Sequence, residues 1–149
     1  MITTEQIKTL RDQTGVSVML CRKVLEEADG DQEKAKAILA RRGAEAAAKK
    51  SDRTLGAGTV AAYIHHKGTV GTMVLLASET DFVSGNADFK ALAHDIAMQV
   101  AATAPETVQD LLASPFIKHP EQTIQMLVES AIQKFGEKIE VVRFIRFSV

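Results

Sequence analysis

The side chains with the most chemical potential lie in one short stretch, Glu79-Thr-Asp-Phe-Val83, and in a histidine pair upstream of it, His65-His66. Glu79 and Asp81 are two residues apart, so on an extended backbone their carboxylates share a face and could move a proton or hold a cation. His65 and His66 are adjacent, and on a strand they point to opposite faces and cannot grip one metal ion together. Neither constellation supplies a third ligand or a nucleophile, so no catalytic residue, metal or cofactor is expected and the chain does not read as an enzyme. Cys21 falls inside an apolar stripe and reads as packing. No glycine-rich loop precedes a helix, since Gly56-Ala-Gly58 leads into a strand.

Phe82 offers a different chemistry. A large aromatic at a surface junction gains nothing from water, whereas inserted into a partner it contributes about 1.5–3 kcal/mol. The residues leave two readings open: Phe82 or Val83 tucks under the next helix while Asp81 helps to cap it, or Phe82 stays exposed to insert into a partner. Three residues after Thr80, Asp81, Ser84 and Asn86 there is no Glu or Gln, so no capping box favours the first.

The elements that position this stretch follow from the hydrophobic pattern. Thr72-Met-Val-Leu-Leu-Ala-Ser78 is a β-branched and aliphatic run, and Ser84-Gly-Asn86 leads into a helical pattern, so residues 79–83 sit at a strand-to-helix junction. Upstream, Thr59 to His65 and Val70 to Ser78 flank a turn at His66-Lys-Gly-Thr69 and predict an antiparallel hairpin. Downstream, Asn86 caps a helix with Phe89, Leu92, Ala93, Ile96, Ala97 and Val100 on one face, closed by Pro105. A short piece with Val108, Leu111 and Leu112 follows, and Pro115 and Pro120 bracket Phe116-Ile-Lys-His119. A helix through Ile124, Leu127, Val128, Ala131, Ile132 and Phe135 ends at Gly136. Ile139 to Val149 supplies a third strand, apolar enough to be a poor edge to leave bare, which points to self-association unless that strand lies in the middle of the sheet.

Residues 1–43 read as three short helices. Thr4 caps the first, stopped by Thr14-Gly15, and Ser17 caps the second, whose stripe is Cys21, Val24, Leu25 and Ala28. Asp31 caps the third, with Ala35, Ile38 and Leu39 inward. So small a bundle buries only about 60% of its chain surface and needs a neighbour. Residues 44–56 form a helical, charged linker without an apolar stripe, and residues 57–149 an α+β domain with helices over one face of a three-stranded antiparallel sheet. Arg41, Arg42, Lys49, Lys50 and Arg53 lack interleaved aromatics and read as a solvated helix face.

The totals narrow the function. A net charge of −1 carries no basic excess for phosphate-backbone binding, so nucleic acid is not the expected partner. One cysteine excludes an internal disulfide framework, and no apolar run approaches the ~20 residues a bilayer requires, so a cytoplasmic protein is expected.

Three ordered motifs resemble the elongation factor Ts family. Leu10-Arg-Asp-Gln-Thr-Gly15, running through Met19, Cys21-Arg-Lys23 and Glu27-Ala-Asp-Gly-Asp31, resembles its N-terminal signature. Glu79-Thr-Asp-Phe-Val83 after a strand resembles its second, and Lys134-Phe-Gly-Glu-Lys-Ile139 leading into Arg143 its third. The resemblance implies a ubiquitin-associated-like three-helix domain, a linker and a core subdomain that release GDP from the GTPase elongation factor Tu. It implies that Thr80, Asp81, Phe82 and Val83 enter the partner near its magnesium site, with Phe82 as wedge. It further implies a second contact through Phe135 and Gly136, and docking of the N-terminal domain through Arg11, Val18 and Met19. Short members of the family pair as homodimers, so a second copy is expected to supply the missing half of the core. The alternative is an adaptor that binds through the three-helix domain alone, with the α+β part as a dimerisation platform.

Overall fold

The computed structural model describes residues 1–149, which divide into two compact units, Met1–Asp52 with Glu129–Glu137, and Arg53–Val128 with Lys138–Val149. The first contains α1 (Thr4–Thr14), α2 (Val18–Glu27) and α3 (Gln32–Lys49). The cap of α1 is Thr3 rather than Thr4: the Thr3 hydroxyl accepts from the Gln6 amide while the Gln6 side chain accepts from the Thr3 amide. This reciprocal box satisfies two orphan donors where Thr4 would satisfy one. Gly15 ends α1 in the left-handed region, and Ser17 and Asp31 cap α2 and α3 as expected. Leu10, Val16, Cys21, Val24, Leu25, Ala28, Ala35 and Leu39 make one buried core. Residues 44–49 continue α3 as its last turns.

In the second unit, β1 (Ala57–Ile64), β2 (Val70–Ser78) and β5 (Glu140–Ser148) form an antiparallel sheet in the order β1-β2-β5. The expected α+β class is therefore present, with the C-terminal strand at an edge and β2 in the middle. Between β2 and β5 come α4 (Asp81–Ser84), α5 (Ala87–Thr103), α6 (Val108–Ala113), β3 (Pro115–Phe116), β4 (His119–Thr123) and α7 (Ile124–Phe135). From Glu129 onward α7 belongs to the first unit. The helix α5 lies against β1 and β2 and buries Phe89, Ala93, Ile96, Ala97 and Val100. Burial of side chains this size contributes about 1.5–3 kcal/mol each for the larger ones. Thr72 on β2 is buried and donates its hydroxyl proton to the Ala97 carbonyl at 2.7 Å.

One strand pair was not foreseen. Gln99 is buried completely on α5, and its amide donates to the Pro115 carbonyl and Ser114 Oγ while its oxygen accepts the Ile117 N–H. That triple engagement ties residues 114–117 to α5, and Pro115–Phe116 pairs with His119–Thr123 in the β3–β4 ladder.

The other sheet face is uncovered. Val60, Ile64, Met73, Ile145 and Phe147 are exposed on it. A bulge between Leu75 and Leu76 places Val142 as an extra residue on β5, and Val142 is exposed as well. The histidines depart from expectation: β1 ends at Ile64, so His65 and His66 sit in the turn, their rings edge-on with centroids 4.3 Å apart. The turn closes through Gly68 N–H to the His65 carbonyl, which frees both rings from strand alternation.

Candidate protein-binding site

The end of β2 builds a rigid root for the stretch that follows. Ser78 is buried and donates from Oγ to the Thr80 carbonyl at 3.0 Å. Thr80 has extended backbone angles and its Oγ accepts the Val83 N–H, so it caps the single turn α4. Gly85 N–H donates to the Asp81 carbonyl at 2.9 Å, and the Asn86 side chain then caps α5 by accepting from Asp88 N–H at 2.8 Å. These local bonds, with Ser84 N–H donating to the Thr80 carbonyl and Asn86 N–H to that of Val83, hold a short loop in one shape.

The consequence is a division between neighbours. Val83 is 5% exposed and enters the core, whereas Phe82 is 89% exposed. Of the two readings left open by the residues, Val83 takes the inward role and Phe82 the outward one, while the cap is Thr80 and not Asp81. Asp81 is the first residue of α4 and is exposed.

Glu79 does not form a shared carboxylate site with Asp81. Its Oε2 accepts the main-chain N–H of Lys138 at 2.7 Å and lies 3.3 Å from Arg53 Nη1. The carboxylate is engaged by the segment entering β5, a connection across 59 residues with no signal in the sequence. No group of three or more His, Cys, Asp or Glu side chains is placed to hold a metal ion.

The remaining expected residues lie in the first unit. Val18 and Met19 open α2, and Met19 is 82% exposed, two residues before buried Cys21 and so on a different side of the helix. Arg11 is exposed in the last turn of α1, and its carbonyl accepts the Gly15 N–H at 2.7 Å. Phe135 is half-buried at the end of α7 with Lys134 Nζ 5.5 Å from its ring centroid. Gly136 follows at φ 70°, a left-handed stop that favours glycine. Cys21 is buried with Sγ near the Val16 carbonyl, and its burial pushes the thiol pKa up, which suits packing and not nucleophilic attack. No helix is long and apolar enough to cross a membrane.

A family model described as Elongation factor TS matches residues 79–149. The chain is 38% identical to Elongation factor Ts of Heliobacterium modesticaldum, with 100% of this chain and 90% of that protein covered. That alignment spans 194 positions, more than the 149 residues here, so the relative carries internal segments with no counterpart in this chain. Elongation factor Ts of Moorella thermoacetica is 36% identical with 96% of its length covered. Elongation factor Ts of Clostridium acetobutylicum is 41% identical over 99% of this chain but only 48% of its own length. The chain belongs to the elongation factor Ts family of translation elongation factors.

Proposed function

We propose that this protein is a guanine nucleotide exchange factor for elongation factor Tu, and that it promotes GDP release by inserting Asp81 and Phe82 near the magnesium site of that GTPase. The observation that carries the reading is the exposure of Phe82 beside buried Val83 on a turn braced by Ser78 and Thr80. A flexible aromatic would lose ordering entropy on insertion, whereas one already held outward keeps that free energy for the partner. Asp81, the exposed neighbour, brings a negative charge to a site where magnesium is held by oxygens.

Magnitudes require more than one contact. About 10⁴-fold faster release corresponds to a barrier lowered by about 5.5 kcal/mol. A buried Phe contributes about 1.5–3 kcal/mol. Disturbed magnesium coordination, a second contact through Phe135 and Gly136, and docking through Arg11, Val18 and Met19 supply the rest. By linkage, a factor that weakens GDP is weakened equally by GDP, so the complex is tight when the nucleotide is absent.

The functional unit is a homodimer in the cytoplasm, and the uncovered sheet face with Val60, Ile64, Met73, Ile145 and Phe147 supports that reading. The test of the exchange activity is stopped-flow release of fluorescent GDP from elongation factor Tu with increasing amounts of the wild type or Phe82→Ala. Acceleration that falls about 10- to 100-fold in the variant is expected, the range that about 1.5–3 kcal/mol allows. No acceleration by the folded wild type would sink the exchange reading and favour an adaptor that binds through the three-helix domain.

A further inference from the structure

Glu79 directly precedes the capping Thr80 and stands three residues before Phe82. Its carboxylate oxygen accepts the Lys138 main-chain N–H at 2.7 Å and meets the Arg53 guanidinium at 3.3 Å. Lys138 immediately precedes Ile139, which is buried, and then β5 begins. Ser78, on the other side of Glu79, ties the Thr80 carbonyl. The two residues together brace the root of α4, one from within the reversal and one from the returning chain.

We propose that Glu79 is a positioning residue for Phe82: by clasping Lys138 N–H at the start of the returning strand, it fixes the point from which α4 leaves the sheet and so the direction in which Phe82 projects. The inference rests on the exchange reading of Phe82 and assigns Glu79 no contact with the partner. The Arg53 side chain is about half exposed, so that ion pair contributes little and the acceptor oxygen matters more than the charge. A Gln at this position keeps an oxygen for Lys138 N–H, and an Ala does not.

Two measurements test it. Hydrogen exchange of the wild type, Glu79→Gln and Glu79→Ala reads the brace without any partner. The alanine variant is expected to lose protection by about tenfold or more at the Lys138 amide and at those of Val83 and Ser84, while Gln stays near the wild type. Should the alanine variant not fold, Glu79→Asp, whose carboxylate is one methylene short, takes its place. GDP release is then measured for each variant alone and combined with Phe82→Ala. The alanine change is expected to lower acceleration about tenfold when Phe82 is present and to change little when it is absent, the non-additivity of two residues acting as a unit. Unchanged protection at Val83 and Ser84 overturns the inference whatever the exchange assay gives. Gln falling as far as Ala in GDP release while its protection stays near the wild type, or losses that simply add, overturns it too, the first by placing the carboxylate's charge on the partner and the second by making the two residues independent. A wild type inactive in GDP release counts against the exchange reading, and the protection pattern still decides whether Glu79 positions the turn.

Discussion

Gln133 Nε2 donates to the main-chain carbonyl of Leu39 at 2.8 Å, and Gly43 is what lets it in: a Cβ at position 43 would lie 2.7 Å from that same nitrogen. Glycine inside a helix costs about 0.5–1 kcal/mol relative to alanine, so its presence in α3 has a packing reason. Gly43→Val is expected to destabilise by about 1–3 kcal/mol in urea unfolding, from overpacking against Gln133 and the Glu129 Cβ at 3.2 Å. Gly43→Ala should be near neutral and should gain when combined with Gln133→Ala, which removes the crowded nitrogen. Equal stability of wild type and the valine variant would show that the crossing is not tight.

Phe82 and Val83 should behave oppositely in the same unfolding experiment. Phe82→Ala removes an exposed ring and is expected to stay within about 0.5 kcal/mol of the wild type. Val83→Ala empties a buried position and should lose about 1–2 kcal/mol. Comparable losses at both positions would mean that Phe82 packs on the protein in solution.

The uncovered sheet face gives a third expectation, read by sedimentation velocity. Ile145→Lys together with Phe147→Lys places charges on the exposed apolar face and should convert dimer to monomer, with the secondary structure content unchanged. A wild type that is monomeric at micromolar concentration, or a variant that still dimerises, would remove this face as the dimer contact.

Cys21 sets a pH dependence. Burial raises its thiol pKa above the ordinary 9.0, so across that window the native state holds a proton the unfolded chain has released. Its contribution is complete below pH 9.0 and is lost as pH rises through the higher folded value. The urea midpoint of the wild type should therefore fall more steeply above pH 9.0 than that of Cys21→Ala. Native Cys21 should also react slowly with a thiol reagent at pH 8 and quickly in urea. Parallel pH profiles for the two proteins would contradict the assignment.

What the sequence determined by itself is the local part of this protein. The caps at Ser17, Asp31 and Asn86, the glycine stops at 15 and 136 and the stripe on α2 rest on groups within a few residues of each other, and the β1–β2 hairpin on two adjacent alternating runs joined by a short turn, so side-chain type and spacing carry the physics. Thr3 and not Thr4 caps α1 because, of two equal hydroxyls, only Thr3 has Gln6 three residues on. The strand-to-helix junction at 79–83 was legible for the same local reason. Which of Phe82 and Val83 faces outward does not follow from the chemistry of the residues, apart from the family resemblance, because a single helical turn can be rotated either way until the sheet and α5 supply a core on one side. The order β1-β2-β5, the β3–β4 ladder made by Gln99 and the clasp of Glu79 on Lys138 also belong to the tertiary structure alone. Each joins residues far apart in the chain, and a pairing partner at such distance leaves no periodicity or spacing in the sequence that precedes it.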